Sequence, residues 1–146
     1  MAHVKLLPSL LLFLLICLVS ATGVTQDKTY QVKSPDGRSE LRVNVAERLA
    51  ISVFHNGLEI ISPSLIAMEL HGQQALGNRP VVLSTTPASV KSSIVPVVPE
   101  KRKLIPDIYN ELGITFKGDY GLKIRAYDDG VAYRFFTTMK RDIIVS

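Results

Sequence analysis

The chain has 146 residues, 47% of them hydrophobic and 21% charged, and a formal net charge of +4. This length suffices for one domain with a real core, but it is too short for a catalytic barrel of about 250 residues. The basic residues are scattered among acids, and the one basic cluster, Lys101–Lys103, lies in a proline-flanked loop beside Glu100. We therefore expect no nucleic-acid partner, since no basic and aromatic surface pattern recurs.

The amino terminus has the pattern of a secretory signal peptide. A short basic start precedes an apolar run from Leu6 to Val19, and small residues follow at the cleavage positions. This run is shorter than the roughly 20 apolar residues that span a bilayer. We expect residues 1–21 to be a signal peptide, cleaved after Ala21 or Gly23. The chain would then be secreted or periplasmic, with no stable membrane anchor after cleavage.

Cys17 is the only cysteine, and it lies inside the expected signal peptide. Its removal would leave no disulfide, no cysteine metal ligand and no cysteine nucleophile. A lipoprotein would instead keep Cys17 as its lipid anchor, although such cysteines usually follow a small residue and Ile16 precedes this one.

Apolar and polar residues alternate with period two after this segment. SELRVNV at 39–45 suits a strand with one buried face. In LAISVFHNGLEIIS at 49–62, the pair Asn56-Gly57 tolerates positive φ and predicts a β-hairpin. PSLIAMELHG at 63–72 fits helix or strand, and we favour a strand because turn residues bound it.

The segment between Gly72 and Pro106 is rich in proline, serine and threonine. Short strands are plausible at Val81–Ser84 and Ser89–Val98. Proline cannot donate a backbone hydrogen bond, so these strands should lie at the edges or ends of a sheet.

The last third of the chain contains three alternating runs, separated at Gly118-Asp119 and at Asp129-Gly130. This arrangement predicts an antiparallel meander. No helical period is sustained anywhere after the signal segment. The predicted fold class is therefore all-β, an antiparallel β-sandwich.

The run RAYDDGVAYRFF at 125–136 holds two adjacent carboxylates that resemble an acid/base pair. Neighbours on a strand point to opposite faces, so Asp128 and Asp129 would not converge on one substrate bond. Asp-Gly is also a preferred turn dipeptide. We therefore expect Asp128, Asp129 and Gly130 to form a structural turn.

Arg125 and Arg134 flank that turn, on strands that should pair. One interpretation is a cross-strand or turn-supporting ion pair with Asp128 or Asp129. The other is an arginine that clamps a carboxylate of a neighbouring domain. Both interpretations make these residues structural or part of a domain interface.

DIYNEL at 107–112 gathers polar side chains just before a predicted strand. Tyr109, Asn110 and Glu111 could bind sugar hydroxyls, with Tyr109 as a stacking platform, or they could equally cap and buttress the loop. Neither histidine after the signal segment has the spacing of a zinc motif, and no phosphate loop or nucleophile elbow is present. We expect no metal site and no catalytic residue.

Four segments in this order resemble the amino-terminal domain of glycoside hydrolase family 97. They are VKSPDGRSELRVNV, NGLEIISPSLIAMEL, DIYNEL and LKIRAYDDGVAYRFF, and they follow a secretory signal. The resemblance extends from about Tyr30 to Thr138. Its most specific part is YNEL at 109–112 combined with RAYDDGVAYRF at 125–135.

Enzymes of this family are secreted or periplasmic bacterial α-glucosidases and α-galactosidases, some inverting and others retaining. The resemblance implies an amino-terminal β-super-sandwich, a catalytic (β/α)8 barrel and a small carboxy-terminal β-domain, with calcium and the catalytic carboxylates on the barrel side. Residues 22–146 would be an incomplete amino-terminal sandwich, without its own cofactor.

The expected partners are the barrel and an α-glucoside or α-galactoside ligand. The alternative is a stand-alone secreted carbohydrate-binding or structural β-sandwich protein, although the lack of tryptophan weighs against sugar binding.

Overall fold

The computed structural model describes residues 27–98, 101 and 103–146. The expected signal peptide lies outside these residues. Within them the secondary structure is all strand, and no helix is long and apolar enough to cross a membrane. The strands are β1 Lys28–Lys33, β2 Ser39–Val45, β3 Leu49–His55, β4 Leu58–Ile66, β5 Val82–Ile94, β6 Ile105–Phe116, β7 Tyr120–Tyr127 and β8 Gly130–Thr137.

Two antiparallel four-stranded sheets follow one another along the chain, in the orders β1-β2-β3-β4 and β5-β6-β7-β8. They pack face to face, with β1 against β6 and β7, and β2 against β7 and β8. Period-two alternation places an apolar face of each sheet in the shared core. The largest fully buried side chains are Phe116, Leu41, Leu49, Ile114, Leu122, Ile124 and Val43. The predicted all-β antiparallel class is confirmed.

The turn chemistry accounts for two of the hairpins. Asn56 and Gly57 adopt φ of 51° and 80° between β3 and β4, as the Asn-Gly pair predicts. Gly118 and Asp119 adopt φ of 104° and 59° between β6 and β7. Both predicted turns are confirmed.

The turn between β7 and β8 contains two of the three residues that the sequence predicts for it. Asp128 and Asp129 form the connection, while Gly130 opens β8 and pairs with Tyr127. The φ of Gly130 lies outside the left-handed region, so the turn does not use the conformational freedom of this glycine.

Two prolines, Pro63 and Pro87, lie within edge strands. β5 is one continuous strand through Pro87, where two shorter strands were predicted, and β4 continues through Pro63. Edge strands tolerate proline because they pair on one side only, and the pairing of β4 with β3 shifts register beside Pro63. The predicted strand at 63–72 is correct only as far as Ile66, beyond which the chain forms isolated bridges.

Candidate functional site

The strands β6, β7 and β8 bring charged side chains together on the outer face of the second sheet. Glu111 lies opposite Arg125, which lies opposite Ala132, and Lys123 lies opposite Arg134. Residues directly opposite one another on antiparallel strands share a face. Their neighbours along each strand point into the core, so this cluster faces away from it.

Glu111 is the centre of the cluster. Its carboxylate accepts a hydrogen bond from Arg125 Nε at 2.6 Å and lies 3.1 Å from Lys123 Nζ, and its side chain is only 12% exposed. Burial acts to raise the pKa of Glu111, but the hydrogen bonds from Arg125 and Lys123 outweigh it, so the pKa lies below its usual value. The group is therefore an ionised carboxylate and not a proton donor at neutral pH.

Arg125 is held on several sides. Its guanidinium lies over the Tyr109 ring at 4.2 Å from the centroid, and Nη1 donates to the Tyr127 hydroxyl at 3.4 Å. The two tyrosine rings pack with their centroids 5.0 Å apart. The hydrogen bonds with Tyr127 and Glu111 raise the pKa of Arg125. This arginine is thus a permanent cation in a fixed orientation.

The segment DIYNEL lies inside β6, which corrects its predicted position in a loop before the strand. Strand alternation therefore separates Asn110 from Tyr109 and Glu111. Asn110 points towards the first sheet, where Nδ2 donates to the Lys33 carbonyl at 2.8 Å and Oδ1 accepts from Ser89 Oγ at 2.7 Å. It therefore links the two sheets.

Tyr109 is 6% exposed, and Arg125 covers one face of its ring. In this arrangement the ring does not offer an open face on which a sugar could stack. Sugar binding by Tyr109, Asn110 and Glu111 stays a prediction. Because Asn110 points to the opposite face of the sheet, the three side chains would not bind one sugar together.

The aspartates of the turn have a different role from the predicted ion pair. Arg125 pairs with Glu111 on β6, and within residues 27–98 and 103–146 neither Asp128 nor Asp129 lies within 4.0 Å of a cationic side-chain nitrogen. Asp128 Oδ1 instead accepts a hydrogen bond from the Asp36 backbone N–H at 2.9 Å. This bond links the β7–β8 turn to the β1–β2 turn.

Asp36 also orders the turn that donates this bond. Its carboxylate accepts hydrogen bonds from the Ser34 hydroxyl at 2.6 Å, from the Arg38 backbone N–H at 3.0 Å and from Arg38 Nε at 2.6 Å. The Ser34 hydroxyl, followed by the Arg38 N–H, lowers the pKa of Asp36. In the sequence, SPDG at 34–37 entered only as part of a segment that resembles the family, and this role was missed.

The described residues contain no group of three or more histidine, cysteine, aspartate or glutamate side chains that could hold a metal ion. They therefore do not fit the calcium that the resemblance assigns to the barrel side. That this chain carries no cofactor stays a prediction.

Two meandering antiparallel sheets with an ionic cluster on one outer face define an antiparallel β-sandwich domain. Residues 32–146 match the family described as Glycosyl-hydrolase 97 N-terminal. The chain belongs to this family, which confirms the resemblance seen in its sequence motifs.

A curated relative is the retaining alpha-galactosidase of Bacteroides thetaiotaomicron, which is 31% identical over 131 residues, covering 90% of this chain and 20% of the relative. Similar solved structures include a glycoside hydrolase family 97 enzyme from Pseudoalteromonas sp. strain K8, in complexes with panose and with acarbose. Each complex has a TM-score of 0.69 at 20% identity and covers 80% of this chain and 19% of that protein.

A beta-arabinopyranosidase structure is similar at the same TM-score of 0.69 and 20% identity, covering 80% of this chain and 20% of that protein. The structural likenesses show the fold. The chain spans about a fifth of the length of these relatives.

Proposed function

We propose that this chain is the non-catalytic amino-terminal β-sandwich domain of a secreted or periplasmic family 97 glycoside hydrolase of the α-glucosidase or α-galactosidase type. It forms part of a β-super-sandwich and supports a catalytic (β/α)8 barrel. The observation that carries the proposal is the match of residues 32–146 to the family's amino-terminal domain. The span of about a fifth of the relatives agrees with a supporting role.

The chemistry of the outer cluster supports a non-catalytic role. A glycosidase needs one carboxyl group with a raised pKa as general acid and a second carboxylate across the scissile bond. Glu111 has a lowered pKa, is shared by two cations and is nearly buried. It is suited to structure and not to proton donation.

The uncovered apolar surface supports contact with further protein. Leu58, Ile60 and Leu65 of the edge strand β4 are 72%, 62% and 56% exposed. Most of β5, an edge strand of the second sheet, is also exposed. Exposed apolar residues on free sheet edges are a hazard for a domain that stands alone, and a neighbouring domain would cover them.

The test uses the alpha-galactosidase of Bacteroides thetaiotaomicron. One variant lacks the segment that matches this chain, and a second carries residues 27–146 of this chain in its place. We expect the deletion to abolish soluble, active enzyme and the replacement to restore hydrolysis of p-nitrophenyl α-galactoside. The purified chain alone should hydrolyse neither the α-galactoside nor the α-glucoside. A deletion variant with full activity, or hydrolysis by the chain alone, would contradict the proposal.

A second candidate function is carbohydrate binding, and one observation favours it. A cleft of about 410 Å³ lies between β1 and the strands β5 and β6, and Gln31, Ser89 and Asn110 contribute polar groups to it. Titration with maltooligosaccharides and melibiose tests this function. Saturable binding that is lost in Asn110→Ala and kept in Asn44→Ala, a strand asparagine outside the cleft, would support it, whereas no binding across both sugar classes would remove it.

A further inference from the structure

A pocket of about 130 Å³ opens on the outer face of the second sheet, next to the Glu111 cluster. We call it the outer basic pocket. Its lining consists of Lys123, Arg125, Tyr127, Ala132, Tyr133 and Arg134. Three of these side chains are cations, Tyr127 contributes a hydroxyl group, and the lining contains no carboxylate.

The strand register explains why the pocket exists. Ala132 lies directly opposite Arg125, and its methyl group leaves space where a longer side chain would stand. Two residues further along, on the same face, Lys123 lies directly opposite Arg134. Like charges in directly opposite positions are destabilising unless an anion lies between them. The fold therefore brings like charges together at this pocket, which lowers its stability.

The acidic residue of the cluster does not neutralise this pocket. Glu111 lies on β6, across Arg125 from Ala132, and it is already shared by Lys123 and Arg125. Arg134 is exposed, and no carboxylate of residues 27–98 or 103–146 lies within 4.0 Å of its guanidinium. The three cations therefore exceed the one carboxylate, and the excess faces the pocket.

Arg125 is preorganised for a further ligand. A guanidinium has five N–H donors, and Arg125 uses Nε on Glu111 and Nη1 on Tyr127. Other N–H groups remain, on a side chain that the Tyr109 ring already holds in place. Binding to a fixed guanidinium costs less side-chain entropy than binding to a free one.

We propose that the outer basic pocket binds a carboxylate group through Arg125, Arg134 and Lys123. Its volume of about 130 Å³ suits a carboxylate and a few carbon atoms and is well below the ~300 Å³ of typical ligand pockets. The carboxylate comes from an acidic side chain of a docked polypeptide or from a free acidic sugar such as a uronate. The inference does not depend on the presence of a catalytic barrel.

A matched pair of substitutions in the full chain, Ala132→Asp and Ala132→Asn, tests the charge preference of the pocket. The new side chains have nearly the same shape and similarly low strand propensity, so the difference between the variants reports the charge. We expect Ala132→Asp to melt at a higher temperature than Ala132→Asn near pH 7. The difference should shrink in about 1 M salt, which screens the attraction. If Ala132→Asp melts at or below Ala132→Asn, the proposal is overturned.

Binding of an external carboxylate is tested by NMR titration with acetate and with galacturonate at constant ionic strength. We expect saturable shifts, with about two- to fivefold weaker binding in Arg134→Gln, the range that one exposed ion pair contributes. Exposed Lys140 lies outside the pocket, so Lys140→Gln is the control and should leave the affinity unchanged. Shifts that do not saturate, or equal affinity in all three proteins, would refute the proposal.

The two ligands also distinguish the sources of the carboxylate. Equal affinity for acetate and galacturonate supports an acidic side chain of a docked polypeptide, because only the carboxylate is then recognised. Roughly tenfold tighter binding of galacturonate supports an acidic sugar. No readout in these experiments requires a catalytic partner. A negative result would therefore contradict carboxylate binding but not the proposed supporting function, and failure of the domain replacement would not contradict carboxylate binding.

Discussion

Replacement of Glu111 by glutamine is the most informative perturbation of the outer cluster. The substitution keeps the size of the side chain and one acceptor oxygen, but it removes the charge that Lys123 and Arg125 share. Both cations would then lie side by side on one sheet face, next to Arg134, without a counter-charge. We expect a loss of stability without a change of fold.

The magnitude follows from the geometry. Two unit charges about 4 Å apart attract by roughly 4 kcal/mol at an effective dielectric constant of about 20. Much of this attraction is offset by desolvation and by solvent screening, since the side chains of Lys123 and Arg125 remain 34% and 31% exposed. A hydrogen bond to a charged group contributes a net 1.5–3 kcal/mol, roughly. We therefore expect Glu111→Gln to lower the free energy of unfolding by about 2 kcal/mol. This corresponds to a decrease of about 8 °C in the midpoint temperature of thermal unfolding.

Urea denaturation followed by circular dichroism is the assay. The pKa of Glu111 in the folded state is lowered, so its contribution is fully present above the ordinary glutamate pKa of about 4.3 and is lost as the pH falls through the folded pKa. The stability difference between the parent chain and Glu111→Gln should be constant from about pH 6 to 8 and shrink below about pH 4.

Glu59 on β4 provides the matched control for this experiment. It is exposed, and within residues 27–98 and 103–146 no cationic nitrogen lies within 4.0 Å of its carboxylate. Glu59→Gln should change the stability by less than about 0.5 kcal/mol. A loss for Glu111→Gln that is no larger than this, or one that is equal at about pH 7 and pH 3.5, would refute the assigned ion-pair energy.

Further substitutions test the packing of the second sheet and its link to the first. Gly121→Ala should cost roughly 2 kcal/mol or more in urea denaturation, because its Cβ would overlap the Phe136 ring and lie 2.6 Å from a backbone carbonyl of β6. Gly130→Ala is the control, with no atom within 4 Å of the added Cβ, and it should stay within about 0.5 kcal/mol. Asp128→Ala should cost about 1 kcal/mol through the lost acceptor between the two turns, whereas Asp129→Ala should be neutral. Equal effects of the two aspartate substitutions would exclude a stabilising role for this bond.

Local patterns were enough to predict the fold class. Period-two alternation identified the faces of β2, β7 and β8, and two turn dipeptides located hairpins, because side-chain direction and φ preference are properties of neighbouring residues. The continuity of β5 through Pro87 was not predictable in this way. Proline breaks a strand only where both of its edges must pair, and whether a strand lies at an edge depends on the whole sheet.

The ionic cluster could not be predicted from the sequence because it depends on the register between β6 and β7. A two-residue turn at Gly118-Asp119 would place Glu111 opposite Ala126, whose side chain points into the core. The connection in the structure includes one more residue, Lys117, so that Glu111 lies opposite Arg125 instead. A shift of one residue moves every side chain of a strand to the other face. Lys123 was missed for the same reason, although it lies two residues before Arg125 and shares its face.

The outer basic pocket depends on the position of the next turn in a similar way. A two-residue turn at Asp129-Gly130 would have placed Arg134 directly opposite Arg125. With Asp128 and Asp129 in the turn, the pairing shifts by two residues. Ala132 then lies opposite Arg125, and Arg134 lies opposite Lys123. A shift of two residues keeps each side chain on its face, so all three cations stay on the outer surface but surround a methyl group. The same turn that the Asp36 N–H fixes through Asp128 therefore also decides that the outer face has a basic pocket.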